Sequence, residues 1–375
     1  MAATNMNENP LLDGASGSWS DRDTGESVQY IHNSSPYISS EDGFTTILAR
    51  GFFKQPDWCD RMFDILFKLK RRKATIKSEV YFGFIQFISC VYAFAVIPAV
   101  MSKAGYVQEH TIAATALCCG IGSILSGLTS NLPFIIAPPA IAAIQLTGFL
   151  NTLSWGANDK VQVGNAAVLI SGLLLMTLGY RPLHQLVGRL IPLPIQVGCA
   201  IGSGLHTTLA GAVEINLVVQ GDINILQLGQ ITPEIMIAFT GIIIICTASR
   251  YHIKASFCLC LITCTLVWWI YSKQWPASLA SVPALSTINS SGFSVEMIII
   301  TCDLLLMYVI FLNGLISSLS ALGGLTRPDG SIPRGRWIFI ITGGLTVCSA
   351  CFAGAPVLIS PESAAGIKVP ILTPD

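Results

Sequence analysis

After residue 79 the chain almost runs out of charge. The 296 residues that follow hold 11 Lys or Arg and 10 Asp or Glu, and long stretches have none. A soluble domain carries about 25% charged residues; this chain carries 11%, against 52% hydrophobic. An apolar run of about 20 residues is enough to cross a hydrocarbon core. Such a sequence is therefore read as an all-α polytopic membrane protein with the lipid bilayer as its solvent. A formal net charge of +0 argues against nucleic acid as a partner. Most of the 12 cysteines sit inside apolar runs, among them Cys118, Cys119, Cys246, Cys258, Cys260, Cys264, Cys348 and Cys351. There a free thiol acts as a small hydrophobe, and none pairs with histidines at metal-ligand spacing. No metal or cofactor is expected, and without a nucleophile–base pair no enzyme.

Residues 1–55 are rich in Ser, Asp, Asn and Gly and lack hydrophobic periodicity. They read as a disordered cytosolic tail, and with a polar N-terminus no signal peptide is visible in them. From Pro56 the pattern changes, with Trp58, Met62, Ile65, Leu66 and Leu69 at helical spacing, followed by Lys68, Lys70, Arg71, Arg72, Lys73 and Lys77. Residues 56–79 are either an interfacial amphipathic helix drawn to anionic lipid or a solvated juxtamembrane cluster. Both readings place them in the cytosol, ahead of a membrane domain over residues 80–375.

Within that domain the apolar segments run over about 80–101, 111–129, 133–150, 161–179, 191–219, 233–249, 254–272, 295–325, 337–353 and 355–367. If all ten cross from a cytosolic N-terminus, Arg181, Arg189, Arg250, Lys254, Arg327, Arg334 and Arg336 fall inside. Only Lys103, Lys160 and Lys273 fall outside, in keeping with the positive-inside rule. The sequon Asn289-Ser290-Ser291 then lies outside, where glycosylation is possible, and the one at Asn33 lies inside and is silent.

The third and tenth segments are short and proline-led, and they align without gaps. Pro133-Phe-Ile-Ile-Ala-Pro-Pro-Ala-Ile-Ala-Ala-Ile144 matches Pro356-Val-Leu-Ile-Ser-Pro-Glu-Ser-Ala-Ala-Gly-Ile367 in two prolines, Ile136 with Ile359, Ala142 with Ala365, and the final Ile. One segment earlier, Gly120 meets Gly343 and Ser126 meets Ser349 at the same offset of 223 residues. Copies seven segments apart run in opposite directions, which is an inverted repeat of the kind that places a substrate site near the midplane. Each copy reads as a short extended strand feeding a half-helix, since proline suits the first helical turn. Free N–H groups at those helix starts favour a polar or anionic ligand. Non-helical backbone at that depth must be paired within the protein or line a cavity. The small residues Ala364, Ala365 and Gly366 let neighbouring helices come close.

Glu362 is the leading candidate. A carboxylate inside the membrane costs about 2.5–3.5 kcal/mol on the insertion scale, so a functional role is the default. It suits acceptance of ligand N–H groups or uptake of a coupling proton; the bland alternative is a carboxylate compensating the half-helix dipole, with Ser360 as N-cap. Asp303 either lines the same cavity or lies near the outer interface. His206 reads as a packing residue, Glu214 and Glu296 as interfacial. Gln86 and Asn313 face either the cavity or a neighbouring helix.

A set of short motifs adds a resemblance. Val91-Tyr92, Ile97-Pro98, Lys103-Ala-Gly-Tyr106, Gly122-Ser123, Asn131-Leu132-Pro133, Pro328-Asp329-Gly330 and Glu362-Ser-Ala-Ala-Gly366 together resemble the nucleobase/cation symporter-2 superfamily. The branch they resemble is the AzgA-like permeases for adenine, guanine and hypoxanthine, and the resemblance covers roughly residues 80–367. It implies a seven-plus-seven inverted-repeat fold with core and gate domains. It also implies proton-coupled nucleobase uptake at a plasma membrane, often as a homodimer, with substrate held between the third, eighth and tenth helices. The positions that fall there are Ala137, Pro138 and Ala143, Phe311 and Asn313, and Ser360, Glu362 and Ser363. Glu362 is also the implied proton-coupling residue.

Three departures qualify that resemblance. Ala143 stands where the family has a polar Asn. Phe311 stands where the eighth helix carries an acidic residue. The resemblance also implies about four further helices after the tenth segment. The alternatives are a truncated or degenerate non-transporting relative that serves a membrane partner, or an anion or ascorbate carrier on the same fold.

Overall fold

In lipid a backbone polar group finds no water, so apolar segments fold as helices that satisfy themselves. The computed structural model describes residues 19–20, 27–28, 62, 66–67, 75–220, 226–251, 256–273, 293–326, 332 and 334–367. Most of the tail and the basic segment, and the loop with the Asn289 sequon, lie outside the described residues. The chain divides into two units. In the smaller, Met1–Phe53 with Leu325–Pro333, strand β1 (Trp19–Ser20) pairs antiparallel with β2 (Ser27–Val28). The larger unit, Lys54–Gly324 with Arg334–Asp375, carries the helices.

These are α1 (Ile76–Cys90), α2 (Ala93–Ser102), α3 (Gln108–Ser130), β3 (Ile136–Ala137), α4 (Ala140–Thr152), α5 (Ala157–Leu178) and α6 (Arg181–Leu190). They continue with α7 (Leu193–Glu214), the hairpin β4 (Val218–Gln220) and β5 (Leu226–Leu228), α8 (Pro233–Arg250) and α9 (Ser256–Ser272). The last described elements are α10 (Val295–Leu322), α11 (Gly335–Cys351), β6 (Leu358–Ile359) and a 3₁₀ turn, Pro361–Gly366. Among the described residues five stretches are long and apolar enough to cross a membrane: Ile76–Ser102, which is α1 and α2 together, then α3, α5, α8 and α10. The shorter α4, Leu259–Ser272 of α9, and α11 are apolar too.

Local chemistry sets the boundaries. A capping box starts α1, with Thr75 Oγ1 accepting from the Ser78 N–H at 3.2 Å and Ser78 Oγ accepting from the Thr75 N–H at 3.1 Å. Asn131 in the left-handed region (φ 54°) ends α3. The helices α5 and α11 cross with their backbones touching, because a side chain at Gly172 would meet the Gly343 carbonyl oxygen at 2.9 Å. Small residues at such crossings permit close packing in lipid.

Two expectations need correction. The basic stretch 181–189, read as a loop, is helix α6. Pro182 starts it, and Leu183, Leu186, Val187 and Leu190 fall on one stripe, with Leu186 and Leu190 exposed. That is the pattern of a helix lying at an interface. The signal was a stripe too short to register as an apolar segment. The second concerns the tenth segment. Its strand is present, but the half-helix after it is one six-residue 3₁₀ turn, whereas the third segment continues as the 13-residue α4.

Candidate functional site

The strands β3 and β6 form the centre of the site. They pair antiparallel, with Ile136 opposite Ile359 and Ala137 opposite Leu358. Ile136 and Ile359 are the very positions that the sequence alignment equates. Outside this ladder the backbone is tied by hydroxyls from the preceding helices. Ser123 Oγ accepts from the Ile136 N–H at 3.2 Å, and Thr346 Oγ1 accepts from the Val357 N–H at 3.2 Å. The Ser360 N–H donates to the Ile135 carbonyl at 3.1 Å. Ser363 Oγ accepts from the Ile135 N–H at 3.0 Å. The Gln86 side-chain amide then clips both broken segments, donating to the Pro133 carbonyl at 3.0 Å and the Ser363 carbonyl at 2.8 Å. Gly366 has to be glycine for this clip, since a side chain there would collide with Gln86 Cγ at 2.3 Å.

A third interruption faces these two. Between α1 and α2 the chain turns at Val91 and Tyr92, where Phe94 and Ala95 donate to carbonyls only three residues back. Pro98 lies further on, inside α2. The break frees the Tyr92 side chain, whose hydroxyl donates to Glu362 Oε1 at 2.5 Å. The other oxygen, Oε2, accepts from the Ser360 hydroxyl. Ser360 Oγ in turn lies 3.3 Å from Cys90 Sγ. The Ser360 side chain makes no helix-capping bond; it is spent on Glu362.

Glu362 borders a cavity of about 280 Å³, together with Tyr92, Pro139, Ala140 and Ile141 at the start of α4, Phe311 and Leu315 of α10, Pro361, and Ser203, Gly204, Thr207 and Thr208 of α7. Ligand sites are commonly about 300–1,000 Å³, mostly apolar with a few placed polar groups, so this one is sized for a small solute. Among the described residues no Lys or Arg lines it. Its polar equipment is one carboxylate, four hydroxyl side chains and the first amides of α4, beside the flat ring of Phe311.

The candidates from sequence therefore separate. Glu362 and Phe311 line the cavity. Ser360 and Ser363 stand behind it, one holding Glu362 and the other holding β3. Ala137, Pro138 and Ala143 are buried and do not reach the cavity wall. Asn313 donates to the Val309 carbonyl at 2.7 Å within its own helix. Asp303 accepts from Gln145 of α4, Glu214 pairs with Lys103, and His206 is exposed. Tyr92, Ser203, Thr207 and Thr208 were not singled out as site residues. Tyr92 entered the sequence reading only as part of the Val91-Tyr92 pair, and the α7 hydroxyls not at all.

Apolar helices of spanning length, interrupted around a mostly apolar cavity with one carboxylate in its wall, define a multi-pass membrane protein built to carry a solute. More narrowly, a model of the Permease family (Xan_ur_permease) matches residues 77–370, and the chain belongs to that family of transporters. It is 28% identical over 318 residues to the guanine/hypoxanthine permease GhxP of Escherichia coli O157:H7, covering 81% of this chain and 70% of that one. It is 24% identical over 315 residues to the adenine permease AdeP of Escherichia coli K12, covering 82% and 70%. The transmembrane domain of the cyanobacterial bicarbonate transporter BicA superposes with a TM-score of 0.52 at 14% identity, over 76% of this chain and 77% of that one. At that identity the likeness is one of fold.

Proposed function

We propose that this protein carries purine nucleobases of the adenine, guanine and hypoxanthine type across the plasma membrane, by proton-coupled uptake through the cavity at Glu362. The observation that carries this reading is the cavity's chemistry. Glu362 has one lone pair on each oxygen committed to Tyr92 and Ser360, and the remaining pairs can accept N–H groups from a base edge. The first amides of α4 supply donors for ring nitrogen or carbonyl acceptors, and Phe311 offers a face for a planar ring. With no cation in the wall, a neutral heterocycle suits the site better than an anion. The relatives GhxP and AdeP, named for guanine, hypoxanthine and adenine, support the substrate class. The antiparallel pairing of Ile136 with Ile359 supports an inverted repeat, and seven basic residues on the inner loops against three on the outer support ten segments with a cytosolic N-terminus.

The test is uptake of radiolabelled adenine, guanine and hypoxanthine by permease-null cells, comparing the wild type with Glu362→Gln at equal surface expression. Uptake by the wild type that collapses in the variant is the expected result. If bicarbonate enters instead and none of the three bases does, the purine reading fails.

A further inference from the structure

One carboxylate in the helical core has no task in purine binding. Asp303 lies eight residues before Phe311 on α10, about 12 Å along the helix axis. It is half-buried, and Oδ2 accepts a hydrogen bond from the side-chain amide of Gln145. Gln145 sits one turn beyond Ile141 on α4, so the pair joins the two helices that frame the cavity through Ile141 and Phe311. Among the described residues Gln145 is the only hydrogen-bond partner of Asp303, and no Lys or Arg pairs with it. Close by, the hydroxyl of Tyr308 is fully buried beside Ser171 of α5, and it lies within electrostatic range of Asp303.

The surroundings supply little charge. On its own helix the titratable groups are Glu296, the exposed Cys302 and Tyr308, and Tyr106 of the turn before α3 lies within electrostatic range of Tyr308. The packed face of α4 carries none. On α5 only Asp159 and Lys160 of the first turn ionise. On α7 there are Cys199, the exposed His206, and Glu214, which is tied to Lys103. From the 3₁₀ turn there is Glu362, across the cavity. A carboxylate in such a place needs a positive partner or a proton whenever water leaves it. One neutral amide does not supply that charge.

We propose that Asp303 is a cation-coupling site separate from the purine cavity, taking up a proton or an alkali metal ion, with Gln145 passing its charge state to α4. This rests on the purine reading of the cavity and places the coupling cation at Asp303, leaving Glu362 as the acceptor for the base. With the cation bound, Asp303 is neutral and the α4–α10 contact closes without an uncompensated charge. Without it, the carboxylate resists dehydration and disfavours movement of the loaded cavity. Cation and base then favour the same closed state, which is reciprocal coupling between two sites.

The experiment uses the full chain in proteoliposomes, as wild type, Asp303→Asn and Asp303→Glu. Counterflow of radiolabelled guanine is measured without any ion gradient. Accumulation is measured with an inward proton gradient in one arm and an inward Na⁺ gradient in another. Asparagine can still take a hydrogen bond from Gln145, so a clip of purely structural use survives the change. The expected result is counterflow within about twofold of wild type in Asp303→Asn, loss of the gradient stimulation (about tenfold for a typical coupling), and recovery in Asp303→Glu. The arm that drives the wild type names the cation. Wild-type accumulation by Asp303→Asn overturns the proposal. So does parallel loss of counterflow and accumulation in correctly inserted protein, which marks a structural clip.

A second readout does not depend on the base. Melting temperature is followed from pH 5 to pH 8, with and without Na⁺, for wild type and Asp303→Asn. A cation-dependent shift in the wild type that vanishes in the variant supports the site even if no base is exchanged, in which case only the purine reading falls. Identical melting behaviour of the two proteins overturns the site.

Discussion

The two broken segments share a backbone plan and differ in what they bring to the cavity. Each follows a helix that closes with a residue in the left-handed region, Asn131 (φ 54°) after α3 and Ala353 (φ 51°) after α11. Each then forms a two-residue strand, and the strands pair on each other. The offset of 223 residues equates Pro139 with Glu362, and both line the cavity. In one copy that position is apolar and leads into a 13-residue helix. In the other it is a carboxylate on a six-residue 3₁₀ turn. A near-symmetric frame thus holds an asymmetric site, with amide donors on one side and a carboxylate acceptor on the other. Symmetry positions the backbone, and single side chains decide the chemistry.

If the third segment acts through its backbone alone, adding a polar side chain there should damage the fold without improving binding. Ala143 is fully buried, and Ala143→Asn inserts both volume and an amide with no prepared partner. The expected cost is about 3 kcal/mol, from overpacking and an unsatisfied polar group, read as a lower melting temperature in detergent. A variant that keeps its stability and gains affinity for guanine would show that this copy too can carry side-chain recognition.

The tie between the copies is the next point of attack. Ser363→Ala removes the hydroxyl that accepts from the Ile135 N–H and leaves a half-buried donor without its partner. A loss of about 2 kcal/mol is expected, with purine affinity nearly unchanged in the protein that remains folded. An equal loss of affinity and stability would make the tie part of the site itself.

The smallest effect belongs to Tyr92→Phe, which keeps the ring and removes one donor from Glu362. About tenfold weaker binding, near 1.4 kcal/mol, is expected from a carboxylate no longer held in one orientation. Unchanged affinity would mean that Ser360 alone orients it.

How much of this was legible depended on whether the signal was local. Pro133, Pro138, Pro356 and Pro361 announce backbone that cannot continue as helix, and Glu362 stands out because a charge in an apolar run has to be explained. Phe311 drew notice only as a departure from a resemblance, yet it lines the wall. The hydroxyls of α7 were hidden because Ser203, Thr207 and Thr208 occur in a helix with no break. Their role comes from α7 packing against α4 and α10, which no local pattern encodes. The same blindness applied to Asn313, whose polar group is consumed by its own helix at Val309. The difference between α4 and the 3₁₀ turn was also invisible, because both sequences open with proline followed by small residues.

The most direct test of a carboxylate-centred site is equilibrium binding of radiolabelled guanine to purified wild type and Glu362→Gln, with melting temperatures confirming that both are folded. Replacing a charged acceptor by a neutral amide should remove about 1.5–3 kcal/mol of interaction, which is roughly 10–150-fold in Kd. Equal affinity in the two folded proteins would contradict the account, because the cavity would then hold its ligand without the one charge that lines it.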